Sequence, residues 1–222
     1  ASFFTKSCNA ASPTQYGSTV AIGNVVVSPS EFMPRLFAEN GRLLDSQGRI
    51  TLDTPEALRA LENYRETYSY SDRTIYDFWK NALEGFADGT AAMTVVFINY
   101  ASHILNSQMS RIAGKLGFAP VPGGKPLLGG GVIGIAQSCT CPCLCPAASC
   151  KFLEWLYADL VAPVFTMLGG LSPCRSAYSN RDISEQYPWL STARKSFPTA
   201  QRRSNSTYYQ NFSELQLETI LA

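Results

Sequence analysis

The sequence predicts an α/β protein, and three observations carry that expectation. Helical stripes recur, as where Ile75, Phe78, Trp79, Ala82, Leu83 and Phe86 fall at i, i+3, i+4, i+7, i+8 and i+11, the spacing of one buried face. Apolar, β-branched runs lie between such stripes, above all Ala92 to Ile98, whose composition suits a strand covered on both faces. Turn residues mark the junctions: Asp88-Gly89 ends the helix and opens onto that run, where a glycine takes the left-handed conformation that other residues resist. Tyr100 then stands near the strand's end, the edge at which ligands bind in open α/β sheets.

Size and charge narrow the class. The chain has 222 residues, 45% of them hydrophobic, enough for one or two globular domains. Eighteen basic against seventeen acidic residues leave no field to draw nucleic acid, and Arg202-Arg203 is too short for a basic patch. The apolar run from Ala91 to Ile98 falls far short of the roughly 20 residues that cross a bilayer, so no direct membrane span is expected. The chain opens at Ala1 without a signal-like segment and ends in a helical pattern still running at Ala222, so a fragment of a longer protein is expected.

The remaining elements follow in order. Thr19 to Ile22 and Val25 to Val27 read as strands, Ser28-Pro29-Ser30 as a turn, and Glu31 to Asn40 as a short helix ended by Gly41. Leu43 to Leu52 reads as a hairpin around Gln47-Gly48. Thr54 caps a helix with Pro55 in its first turn and Glu56 favoured by the dipole; Ala57, Leu58, Leu61, Tyr64 and Tyr68 form its buried face. Lys115 to Pro122 is extended, since its prolines exclude helix. Val132 to Ala136 is a strand, and Pro146 to Tyr157 a helix with Ala148, Phe152, Trp155 and Leu156 inside. Val161 to Leu168, Ile183 to Ser196 and Tyr208 to Ala222 complete the helices.

In this order the elements resemble the later part of the extracellular solute-binding proteins of family 1, the sugar-type receptors of ABC importers. The likeness is carried by Asn40-Gly41-Arg42-Leu43, Asp53 to Leu61, Phe86 to Met93, Pro120 to Gly124, Gly129 to Ile133, Cys150 to Leu156 and Gly169 to Pro173. It implies a periplasmic-binding-protein-like fold of type II. Residues 1–127 and 180–222 would form the C-terminal lobe, and 128–179 a hinge-crossing segment of the N-terminal lobe, most of which would precede Ala1. It further implies a non-enzymatic receptor without cofactor, metal or catalytic residue, which takes a carbohydrate between two lobes and docks on membrane permease subunits. The location implied is extracellular or periplasmic, with an N-terminal lipid anchor in the full-length protein. A chain presenting mostly one lobe is then expected to bind sugars weakly or not at all.

The resemblance also implies ligand positions. Ser28, Ser30 and Glu31 match a loop that reaches the ligand, Tyr100 an aromatic platform, and Gly129 and Gly130 a glycine-lined hinge. Arg175 matches a cleft-edge polar residue, and Tyr208 and Tyr209 the start of a cleft-facing helix. Aromatic faces and planar polar groups suit sugars, which carry C–H faces and hydroxyl edges. Each residue has a plainer reading: Tyr100 as a core tyrosine, Tyr208 and Tyr209 as helix-face residues, Trp79 and Trp155 as core.

Cysteine usage points elsewhere. Cys139, Cys141, Cys143 and Cys145 alternate, so an extended backbone would set four thiols on one side. Thiolates favour zinc or copper(I), and a thiol- or metal-thiolate-dependent enzyme or metal-binding protein using the Cys139 to Cys150 loop is the alternative function. Disulfides compete for the same residues, and with Cys8 and Cys174 the seven cysteines leave at least one unpaired within the chain. His103 is the single histidine and has no nucleophile signature beside it. Gly129 to Gly134 fits G-x-G-x-x-G but precedes a strand rather than following one, which excludes a dinucleotide motif. Asn205 and Asn211 head glycosylation patterns that matter only in a eukaryotic secretory pathway.

Overall fold

A computed structural model describes residues 2–23, 26–74, 79–139 and 145–203. The first core forms where α1 (Val27–Ala38) packs on α2 (Pro55–Ser69). Val20, Phe32, Met33, Leu36, Leu43, Ala57, Ala60 and Tyr64 are buried between them. Thr54 caps α2 as expected, its side chain accepting from the Ala57 N–H at 3.3 Å. Leu58, placed inside by sequence, is instead 57% exposed, while Ala60 fills the buried stripe. The hairpin before α2 is present: Leu44 bridges Ile50, Gly48 has φ +78°, and the Asp45 carboxylate accepts the Gln47 and Arg49 N–H groups.

Helix α1 starts earlier than the sequence suggested, so Ser28 to Glu31 lie in its first turns rather than in a loop before it. Pro29 fits there because the first N–H groups of a helix have no intrahelical partner to lose.

Helix α3 (Trp79–Ala87) ends at Gly89, whose φ is +77°. Thr90 N–H donates to Gly85 C=O at 3.1 Å and Gly89 N–H to Phe86 C=O at 2.9 Å, the paired bonds of a Schellman motif. Ile75 and Phe78 of the predicted stripe lie outside the described residues. Beyond the turn the chain meets the 16–19 segment in parallel, through bridges Tyr16 to Ala91 and Thr19 to Thr94. It forms no longer ladder there. Val95 to Ile98 are half-buried rather than covered on both faces, and Ile98–Tyr100 is a 3₁₀ turn leading into α4 (Ala101–Leu105).

Residues 115–121 run without regular structure, as their prolines require, to a tight turn at Pro122–Gly124. The parallel strands β1 (Leu127–Leu128) and β2 (Gln201–Arg202) pair Leu127 with Gln201 and Leu128 with Arg202. The strand expected over Val132 to Ala136 does not form; Val132 is 97% exposed and no neighbouring strand meets it among the described residues.

Helix α5 (Cys145–Leu156) buries Leu156 but leaves Ala148, Phe152 and Trp155 exposed, which corrects the expectation of a buried face there. No described element lies over that side, so an amphipathic stripe stays uncovered. Helix α6 (Val161–Met167) packs on α7 (Ser176–Ser179), and a core of Ala101, Ala162, Ala177, Tyr178, Trp189, Leu190 and Ala193 joins them to α9 (Pro188–Ser196). The helix expected over Ile183 to Ser196 is two, α8 (Arg181–Gln186) and α9, because Pro188 drives Tyr187 out of helical geometry (φ −122°, ψ 82°). The Tyr208 to Ala222 helix lies outside the described residues.

Candidate functional site

A cavity of about 570 Å³ opens where these layers meet. One wall is α1, through Ser30, Glu31 and Pro34; the next is Trp79 with Val95 to Ile98. Trp79 and Phe97 stand edge to face with ring centroids 5.0 Å apart. A third wall is β1 and residues 129–133, and the fourth is Ser172, Tyr178 and α9. Tyr178 stacks edge-on against Phe197, again at 5.0 Å. Gly129 lies close against Phe97: a Cβ there would come within 2.6 Å of the ring's Cε1, so the ring would have to move. Gly130 has open space around it.

The α1 wall carries the charge. Glu31 is 5% exposed, and burial pushes its carboxyl above the ordinary value, with Arg35 and the Ala21 N–H opposing that shift. Arg35 Nη1 donates to Glu31 Oε2 at 3.0 Å and also to the Glu31 carbonyl, and its guanidinium lies 4.8 Å from the Tyr64 ring centroid. Tyr64 donates its hydroxyl to Ala21 C=O at 2.9 Å, and its own burial raises its pKa. Arg35 Nε is buried without a hydrogen-bond partner among the described residues. Ser30 Oγ accepts from Arg203 Nη2 at 2.7 Å and donates to Val26 C=O.

The structure thus brings Ser30, Glu31, Gly129 and Gly130 to one cavity. Ser28 is fully buried and accepts the Gly23 N–H at 3.0 Å, away from the lining. Tyr100 stands in the 3₁₀ turn, not at a strand end, and packs half-buried against both the Trp79 and the Phe86 clusters. Arg175 is exposed at the start of α7. Tyr208 and Tyr209 lie outside the described residues. The reading by sequence missed Pro34, Phe97, Tyr157 and Tyr178 as lining residues and took Trp79 for core alone. No local motif marks them, because they converge from segments far apart in the chain.

Cys139 is disulfide-bonded, while Cys8, Cys150 and Cys174 are free. A bonded Cys139 has no thiolate to give a metal. Cys141, Cys143 and the Cys145 side chain lie outside the described residues. Among the described residues no three His, Cys, Asp or Glu side chains group as a metal site, and no helix is long and apolar enough to cross a membrane.

Helices over short parallel pairings, with a chain that leaves at β1 and returns at β2, define part of a type II periplasmic-binding-protein fold. The structure of maltose-bound MalE3 from T. maritima matches with a TM-score of 0.78 and 23% identity, covering 92% of this chain and 55% of that one. An ABC transporter solute-binding protein from Agrobacterium radiobacter K84, in complex with ribitol, matches with a TM-score of 0.71 and 20% identity, covering 91% and 54%. The chain therefore spans about half the length of either structure. No protein-family model and no curated protein matches the sequence.

Proposed function

We propose that this chain is part of the extracellular or periplasmic solute receptor of an ABC importer, and that its ligand is a carbohydrate or sugar derivative. The observation that carries this reading is the cavity itself: Trp79, Phe97, Tyr157 and Tyr178 offer aromatic surface, and a few polar groups gather on α1. The fold it shares with a maltose-bound and a ribitol-bound protein supports the ligand class. In this reading the chain acts by binding and release, docks on permease subunits, and in the full-length protein is held by an N-terminal lipid. Ser28, Tyr100 and Arg175 would then support or rim the site, and Ser30, Glu31, Gly129 and Gly130 would meet the ligand.

The lobe assignment is part of the proposal. Residues 1–127 and 180–222 belong to one lobe and 128–179 to a crossing segment of the other. The bare apolar surface of that segment favours it: Val132, Trp155 and Leu160 are 97%, 56% and 88% exposed. Such a surface suits packing on the half of the fold that has no counterpart in this chain.

Nuclear magnetic resonance titration with a panel of mono- and disaccharides and alditols tests the reading. Saturable shifts at cavity residues, with dissociation constants in the millimolar range expected of half a site, support it. Absence of shifts across the panel in the full-length protein rejects the receptor, and micromolar binding by this chain alone rejects the need for a second lobe.

A further inference from the structure

Tyr178 carries a polar group that the fold leaves unsatisfied. Its ring belongs to the core joining α6, α7 and α9 and stands edge-on to Phe197 at 5.0 Å, with only 5% of the residue exposed. Its hydroxyl makes no hydrogen bond among the described residues, whereas Tyr64, the buried tyrosine of the other core, donates to Ala21 C=O at 2.9 Å. Buried polar side chains nearly all find a partner, so such an exception calls for a reason. Among the described residues, Arg35 Nε is the side-chain polar atom both sealed from solvent and without a partner. The Tyr178 hydroxyl is not sealed in that way, and the open space its residue lines is the cavity. Burial raises its pKa, and Cys174 adds to the shift, so the hydroxyl stays neutral and able both to donate and to accept.

Two more hydroxyls stand on this wall. Ser172 accepts the Cys174 N–H at 3.1 Å, which leaves its own proton to give. Thr192, on α9, accepts the Ser196 hydroxyl through its carbonyl at 2.9 Å, while its side chain makes no hydrogen bond among the described residues. Around them the lining is Leu171, Pro173, Ala193 and Phe197, so the wall sets neutral hydroxyls in apolar surface.

We propose that Tyr178 is a ligand-recognition residue: its hydroxyl, on the wall it shares with Ser172 and Thr192, exchanges a hydrogen bond with a hydroxyl of a neutral sugar or polyol and selects against the deoxy analogue. The inference rests on the receptor reading above. A ligand lacking that hydroxyl leaves the Tyr178 hydroxyl without a partner in the closed site, which is how a polar contact gives specificity.

The experiment titrates the full-length protein and its Tyr178→Phe variant with maltose, ribitol and the rest of the same sugar and alditol panel. The substitution keeps the ring on Phe197 and removes the hydroxyl alone. Affinity should fall about fivefold, the effect of one neutral hydrogen bond, while the urea midpoint stays unchanged. Binding within twofold of the parent overturns the proposal. A lowered midpoint overturns it too, since the hydroxyl would then have a partner within the protein. Monodeoxy analogues of the tightest-binding panel member give the ligand-side measure: one of them should bind parent and variant alike, and an equal loss for every analogue counts against the subsite. If the parent binds no member of the panel, the receptor reading falls and takes the subsite with it; if the parent binds and the variant matches it, the subsite alone falls.

Discussion

Two helical pairs in this molecule have similar amphipathic sequences and opposite fates. Helices α1 and α2 enclose Met33, Leu36 and Tyr64, each at 1% exposure or less. Helices α5 and α6 hold Phe152, Trp155 and Val164 about half in solvent, burying little beyond Leu156, Ala162 and Thr166. Both pairs show the helical repeat, so the repeat states that an apolar face exists but not that the chain supplies its cover. Polar chemistry separates them further. The α1–α2 pair is laced by Glu31, Arg35 and Tyr64, whereas the Phe152–Trp155 rings on α5 pack chiefly on each other.

Substitutions sharpen that contrast, beginning with the largest effect. Arg35→Met leaves Glu31 buried without its cation and should cost about 3–5 kcal/mol at neutral pH, measured by urea unfolding. That loss depends on pH with a definite sign. Burial raises the Glu31 pKa in the folded state above its ordinary 4.5, so the protonated acid fits the fold better than the carboxylate. Stability from this group is present below that ordinary value and is lost as pH rises through the raised one. The variant's deficit should therefore shrink as pH is lowered toward 4.5; a deficit independent of pH would show that Arg35 acts by packing alone.

Leu36→Ala should follow, at about 3 kcal/mol, since its side chain lies wholly within the α1–α2 core. The matching change on the other pair is Trp155→Ser. Its effect on unfolding should stay below about 1 kcal/mol, because Trp155 keeps 56% of its surface in water and loses only its contact with the half-exposed Phe152 ring. A loss comparable to that of Leu36→Ala would erase the distinction between the two regions.

Local signals were legible in the sequence and convergent ones were not. The Thr54 cap, the Gly48 turn and the Gly89 helix end each depend on a few adjacent residues, and each stands where spacing put it. The α1 start misled because proline and serine are turn residues elsewhere but are tolerated in a first helical turn. The break at Pro188 was written in the sequence and overridden by a helical repeat on both sides of it. The run Val132 to Ala136 has strand composition, but a strand also needs a neighbour, which composition does not report. Ser30, Glu31, Gly129 and Gly130 came from the family pattern, while Trp79, Phe97 and Tyr178 emerged only when distant segments met around the cavity.

The short pairing of β1 with β2 has a kinetic consequence. It is reinforced by Gln201 N–H donating to Pro126 C=O at 2.8 Å and by Thr199 Oγ1 donating to Gly124 C=O, residues 75 apart in sequence. Closing so long a loop costs chain entropy before the few bonds at its neck repay any of it. The α1–α2 contacts are closer in sequence and richer in buried surface, so loop-closure entropy favours their forming before the neck. A nascent chain thus carries the 129–200 excursion as an unclosed loop until its last described strand emerges.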